Sequence, residues 1–264
     1  MPELPDVDGH RRLLAEHATG RTVTGVRVID PELVHGTTPA GLARSLRGRV
    51  LAEPTRHGKW LWISTTDEPG PTLVFHFRMT GELVADDTQD TDDPDAALWL
   101  VLDRGRIGYR TRRRLGGVSY LRPGVAVETV TGSLGPDALG IERSRLAERL
   151  SGRRGGLKSA LLNQRVIAGL GNELVDEILW RAHLAPDHTV SEITHQQLRS
   201  LHRELGIVLQ QSVRAGHVPS GPTWLNAQRG EADPRCPRCE RPLRRGKVAG
   251  RTTLWCPSEQ GSGQ

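Results

Sequence analysis

The chain opens MPELPDVDGHRR, which sets Pro2, Glu3, Asp6 and Asp8 close behind the start. Once the initiator methionine is removed, Pro2 is a chain terminus carrying a secondary amine. A nucleophilic amine beside carboxylates is the arrangement of covalent catalysis through a Schiff base. The competing reading is a helix start, where proline needs no donor and carboxylates offset the positive helix end. A second chemical group lies at the other end of the chain. CPRC places Cys236 and Cys239 in one knuckle, and Cys256 returns after sixteen intervening residues. Two CxxC knuckles at such spacing make a four-cysteine zinc ribbon. Here Glu259 stands in the fourth position. Zinc accepts carboxylate oxygen, so the expected ligand set is Cys236, Cys239, Cys256 and Glu259, with a metal-free hairpin packed on Leu254 and Trp255 as the alternative.

The charges are unevenly placed. Lys and Arg outnumber Asp and Glu by 36 to 31, yet Arg104–Arg114 holds six arginines and no acid, and Arg235–Arg251 holds seven bases against Glu240 alone. Such stretches suit a polyanion, because each neutralised phosphate releases counterions. The six acids between Asp86 and Asp95 read as a solvated loop. No apolar run approaches bilayer-spanning length, and the acidic start lacks an apolar signal core. All three cysteines lie near the C-terminus, which opposes a disulfide framework. The expectation is a cytoplasmic, nucleoid-associated protein with no membrane partner and no small-molecule cofactor, and a monomer by default.

These groups need elements to hold them. TVTGVRVID, GRVLAEPTRHGKWLWIS, PTLVFHFRMTGELVA, ALWLVLDRGRIGYR and LGGVSYLRP carry strand patterns between Gly, Pro and Asp breakers, while DVDGHRRLLAEHATG reads as a leading helix. From about Ser144 the period becomes helical, in SRLAERLSG, LKSALLNQRVIAG, NELVDEILWRAH and ITHQQLRSLHRELGIVLQQSVRAG. HVPSGPTWLNAQRGEADP reads as loop, and a cysteine-bearing hairpin closes the chain. The fold class is α+β. The expected domains are a β-sandwich with a leading helix over 1–134, a helical DNA-binding domain over 135–228 and a zinc-finger-like hairpin over 229–264.

Between two of these helices, GLGN has Gly on both sides of Leu170, which allows close backbone approach to another molecule. Asn172 opens the next helix, where free N–H groups suit phosphate, with simple helix capping as the alternative. Arg251 sits at the base of the returning strand of the cysteine hairpin, where its guanidinium can meet phosphate in bidentate fashion. Four separated stretches now agree: PELP at the start, HGKW in a strand, GLGN between helices and the C-terminal cysteines. Together they resemble the formamidopyrimidine-DNA glycosylase and endonuclease VIII superfamily over nearly the full length, from Pro2 to Cys256. The resemblance implies a helix-two-turns-helix domain and a bifunctional glycosylase and abasic-site lyase of base excision repair, acting on damaged double-stranded DNA. It implies Pro2 as nucleophile, Glu3 as the acid that protonates the sugar ring oxygen, and Lys59 as a phosphate contact near the lesion. Asn172 and Arg251 match its backbone clamps, Met79 the residue that fills the gap left by the extruded base, and Arg113 the arginine facing the orphaned partner base.

The chemistry fits these types. A base must leave the stack before it can be excised, and the hole must be filled. An α-amino group titrates near 7.7 to 8.0, well below a lysine at about 10.4. The proline adduct is a cationic iminium that draws electrons from C2′ and eases β,δ-elimination. Two departures bear on the lesion: Leu115 stands where the formamidopyrimidine branch has an aromatic wedge, and the GHVPSGPTWLNAQ connection is short. They predict weak activity on 8-oxoguanine relative to ring-opened purines, oxidised pyrimidines or abasic sites. The alternatives are a damage-binding paralogue without catalysis and a glycosylase for bulky adducts or crosslinks.

Overall fold

The computed structural model describes residues 2–87, 93 and 95–261. The Asp-rich stretch expected as a loop therefore lies largely outside the described residues, as do Met1 and the last three residues. The chain forms two compact units, Pro2 with Asp6–Ser133 and Glu3–Pro5 with the chain from Leu134 onward.

The first unit contains α1 (Leu4–His17) from Asp6 onward, α2 (Pro39–Leu46), the short α3 (Glu128–Thr131) and nine strands in two sheets. One sheet has β1 (Val23–Val28), β6 (Gly81–Asp86), β7 (Ala96–Leu102) and β8 (Arg106–Thr111), in the order β1-β7-β8-β6. The other has β2 (Val34–His35), β3 (Thr55–His57), β4 (Trp60–Ser64), β5 (Thr72–His76) and β9 (Gly117–Leu121), in the order β2-β9-β5-β4-β3. Among the described strands of this unit, only the β2–β9 pair is parallel. Alternation explains the layering. Leu98, Leu100 and Leu102 of β7 and Ile107 and Tyr109 of β8 enter one core with Leu61, Ile63, Leu73 and Phe75 of the other sheet. Trp99, on the opposite face of β7, is covered instead by the Arg106 guanidinium at 4.0 Å. At roughly 1.5–3 kcal/mol per buried large apolar side chain, this shared layer is what holds the sheets face to face.

The second unit is helical: α4 (Arg143–Leu150), α5 (Leu157–Leu162), α6 (Asn172–Arg181) and α7 (His195–Ala215), followed by the hairpin β10 (Arg244–Val248) and β11 (Arg251–Trp255) and by α8 (Pro257–Gln260). Leu174, Val175, Ile178 and Leu179 of α6 are fully buried among Leu157, Leu161, Leu201, Leu205 and Val208. The chemistry of α7's ends is local. Thr194 and Gln197 form a reciprocal capping box, and Gly216 closes the helix in the left-handed region at φ 78°. The α+β class and the helix-led sandwich agree with the sequence reading. Short α3 and α8 were not expected, and two longer elements differ. α2 was not expected, although Thr38 caps it and Pro39 starts it. α5 stops at Leu162 instead of running through QRVIAG, because Asn163 Oδ1 accepts from Arg165 N at 3.0 Å and turns the chain. Among the described residues no helix is long and apolar enough to cross a membrane.

Candidate active site and nucleic-acid interface

In the first unit, Lys59 sits on a two-residue turn. Gly58 takes φ 58° and hands the chain to Lys59, and His57 pairs with Trp60 across the hairpin. Arg56 braces this turn from inside: its Nη1 donates to Gly58 O at 2.9 Å and its Nε lies 3.6 Å from Asp8 Oδ1, both side chains being buried. Asp8 is thus an anchor for the Lys59 turn as well as an α1 residue, and it also pairs with Arg11 and Arg12.

Beside it stands His76, to which the sequence reading assigned no role. Its ring lies 4.3 Å from that of Trp60. Burial pushes the imidazole down to about 4, and the charges of Arg78 and Lys59 add to the fall. At neutral pH it is therefore a neutral group close to two cations. The signal was a lone polar residue inside the apolar run TLVFHF. His10, by contrast, packs against Phe77 at 4.5 Å and accepts from Leu83 N.

Met79 and Arg113 come together. Arg78 takes φ 48°, and Gly81 N donates to Phe77 O to close a tight turn that leaves Met79 47 % exposed. Tyr109 Oη donates to His76 O and holds the base of this turn. Arg113 N donates to Thr80 Oγ1 at 3.2 Å, and Arg113 Nη1 reaches Met79 Sδ at 3.8 Å. Arg114, at φ 50°, is fixed by Asp30 at 2.7 Å and Glu32 at 3.1 Å. Leu115 next to it is 50 % exposed. Exposed Met79 and exposed Leu115 thus stand in the same arginine-rich part of the sandwich as Arg113.

In the second unit, Glu3 is 2 % exposed. Its carboxylate accepts from Gly171 N at 3.0 Å, Glu173 N at 2.9 Å and Leu174 N at 3.1 Å. It therefore satisfies the orphan donors at the start of α6 and lies on the positive end of that helix. This explains the glycines of GLGN. A Cβ on Gly171 would stand 2.2 Å from the Glu3 carboxyl, and one on Gly169 2.5 Å from Leu4. The close approach expected there is made to the chain's own first residues. Gln164 braces the same turn, its Nε2 donating to Leu170 O at 2.9 Å and its Oε1 accepting from Gly169 N at 2.9 Å.

Asn172 is the first helical residue, and Gly171 holds the cap position. The Asn172 side chain does not cap; its Nδ2 donates to Thr252 O at 2.8 Å. Arg251 begins β11, exposed beyond the turn at Ala249 and Gly250. Behind the strand Lys158 and Asp176, both fully buried, pair at 2.6 Å. Burial pushes the Lys158 ammonium below its ordinary value, and Asp176 opposes that fall.

The three cysteines converge. The sulfurs of Cys236, Cys239 and Cys256 all lie within 4.8 Å of one another, a donor set that suits a thiophilic cation such as zinc. Among the described residues Glu259, expected as fourth ligand, is not part of this group. It lies in the first turn of α8, and its carboxylate faces His183 Nδ1 at 3.3 Å and Arg238 Nη1 at 3.6 Å. The neighbouring Gln260 is the buried one; it accepts from Cys256 N and donates to Leu184 O.

A β-sandwich bearing basic turns with exposed Met79 and Leu115, and a helical unit whose GLGN turn seats Glu3, have the features expected of the helix-two-turns-helix DNA glycosylases. Comparison with known proteins agrees. Residues 1–118 match the formamidopyrimidine-DNA glycosylase N-terminal domain and residues 134–221 the H2TH domain of the same enzymes. A formamidopyrimidine-DNA glycosylase of Chloroflexus aurantiacus is 34% identical over 274 residues, covering 98% of each chain. One from Symbiobacterium thermophilum is 34% identical over 273 residues, covering 97% of this chain and 88% of its own. Among solved structures, Lactococcus lactis Fpg in complex with DNA containing N7-benzyl-Fapy-dG superposes with a TM-score of 0.86 at 26% identity, covering 99% of this chain and 100% of that one. The chain belongs to the formamidopyrimidine-DNA glycosylase family, within the superfamily that also holds endonuclease VIII.

Proposed function

We propose that this DNA glycosylase excises oxidised or ring-opened bases from double-stranded DNA through a Schiff base on Pro2 and then cleaves the strand by β,δ-elimination. The relative from Lactococcus lactis has been crystallised on DNA carrying a modified Fapy-dG and, separately, on DNA containing an abasic site, which supports damaged duplex as the partner. The observation that carries the reading is the seating of Glu3, whose carboxylate is anchored by three backbone N–H groups directly beside Pro2 in the chain.

With Met1 removed, the Pro2 nitrogen attacks C1′ of the extruded nucleotide. The C–N bond to the base breaks, and ring opening leaves a cationic iminium. Glu3 gives a proton to the sugar ring oxygen, its carboxyl group held in place by three backbone N–H groups. Loss of a C2′ proton from the iminium then expels the 3′ phosphate, and a second elimination expels the 5′ phosphate. Lys59 contacts phosphate near the lesion, with neutral His76 and Arg78 beside it. Asn172 and Arg251 contact phosphates on the second unit, the amide of Asn172 having a second hydrogen to offer besides the one given to Thr252 O. Met79 fills the vacated space and Arg113 faces the orphaned base. Cys236, Cys239 and Cys256 would hold a structural zinc ion, which supplies a crosslink to the hairpin and takes no part in the reaction.

The test is a Pro2→Gly variant assayed for nicking of duplex containing a single abasic site. Loss of β,δ-elimination with DNA binding retained supports the proposal; nicking at the parent's rate refutes it.

A further inference from the structure

The strand that carries Arg251 has little to fix it by itself. A two-stranded hairpin is marginal in water, and Arg251 lies at its exposed tip. Three successive residues of β11 are instead gripped from the helices. Asn172 Nδ2 donates to Thr252 O at 2.8 Å. Lys158 Nζ donates to Thr253 Oγ1 at 2.7 Å, and Leu254 N donates to Asp176 Oδ2 at 3.2 Å. Thr253 Oγ1 in turn donates to Arg251 O at 3.0 Å.

The proton directions in this chain are forced. An ammonium has donors only, so Thr253 Oγ1 must accept from Lys158, and its single hydrogen is left for Arg251 O. Asp176 fixes Lys158 from the other side with Oδ1 at 2.6 Å, while its Oδ2 accepts from Arg229 at 2.7 Å, whose Nη2 also donates to Asn172 O. Lys158, Asp176 and Thr253 are at most 1 % exposed. A buried ion pair of this kind is no more stabilising than apolar residues of the same size, and α5 is otherwise apolar at its buried positions, with Leu157, Ala160 and Leu161. Stability alone does not account for a lysine there. A directed hydrogen-bond chain ending on the backbone of Arg251 does.

We propose that Thr253, oriented by the buried Lys158–Asp176 pair, is a positioning residue that sets the backbone from which Arg251 reaches DNA phosphate. This rests on the reading of Arg251 as a phosphate contact. The experiment measures affinity of the full chain for duplex carrying a tetrahydrofuran abasic analogue at several salt concentrations. Each phosphate contact contributes about 0.9 to the slope of log K against log salt. Arg251→Ala should lower the slope by about that amount. Thr253→Val, which keeps shape and removes the hydroxyl, should lower it by a comparable amount, Thr253→Ser should restore it, and the double variant should lose no more than Arg251→Ala. A merely structural threonine would lower the melting temperature and leave the slope of the folded protein at the parent value. Thr253→Val with the parent's slope, or a loss additive with Arg251→Ala, overturns the positioning role. An unchanged slope in Arg251→Ala itself overturns the phosphate reading, and the proposal with it.

Discussion

Replacing Glu3 by glutamine should unsettle the helical unit as well as the chemistry. The carboxylate accepts three backbone N–H groups, two on Oε2 and one on Oε1. A glutamine oxygen can keep the pair from Gly171 and Leu174, but its amide nitrogen then meets Glu173 N–H, donor against donor. One charge-assisted bond of about 1.5–3 kcal/mol is lost. The remaining two weaken toward the ordinary value of about 1 kcal/mol each, part of which is the interaction with the helix dipole. The sum is about 3 kcal/mol. With a urea slope of about 2 kcal/mol/M, that shifts the midpoint of the helical unit by about 1.5 M. Trp180 and Trp224 both lie in this unit, so tryptophan fluorescence during urea titration reports it. A Glu3→Gln midpoint within about 0.2 M of the parent would refute the argument that Glu3 seats the turn. Activity of this variant must accordingly be normalised to its folded fraction before any loss is assigned to proton transfer.

Acid should destabilise the sandwich through His10. Its imidazole titrates at about 4 when folded, against an unfolded value of 6.5, so the unfolded chain binds the extra proton between these limits. His10 contributes full stability above pH 6.5 and loses about 3 kcal/mol as pH drops to 4; urea midpoints across that range should show the fall, and His10→Gln should make it shallower, leaving the part due to His76, which is also pushed down to about 4. Leu115→Phe should raise excision of 8-oxoguanine opposite cytosine severalfold in single-turnover assays, because the exposed leucine cannot stack; a parent rate on 8-oxoguanine equal to that on ring-opened purine contradicts this. Glu259→Cys should slow release of bound zinc to a chelator, since it adds a fourth thiolate to the three that converge. A parent that releases zinc as slowly as that variant would mean the fourth position is already filled.

The strands and helices were legible wherever period and caps are local. Alternation in ALWLVLD marks β7, and Thr194 with Gln197 announces α7. The cysteine spacing announced the sulfur cluster, since its ligands lie on one short hairpin. What sequence could not carry was pairing across distance. Glu3 caps a helix whose cap position, Gly171, lies 168 residues after it in the chain, so no local pattern links them. Asp176 within an apolar helix and Lys158 within an apolar turn of α5 look like surface residues until each is found buried against the other. His76 was hidden for a related reason, its meaning coming from Lys59 and Arg78 on neighbouring turns. Glu259 shows the reverse case: spacing puts it at the fourth ligand position, while His183 and Arg238 draw its carboxylate elsewhere.

The central claim is a bond between the imino nitrogen of residue 2 and deoxyribose. Incubating the protein with duplex holding one abasic site in the presence of borohydride, then mapping the modified peptide by mass, reads that bond directly. The account predicts a stable crosslink on the N-terminal peptide, beginning at Pro2 with methionine absent. A crosslink on a lysine-bearing peptide, or no crosslink from protein that nicks the same duplex, would contradict it.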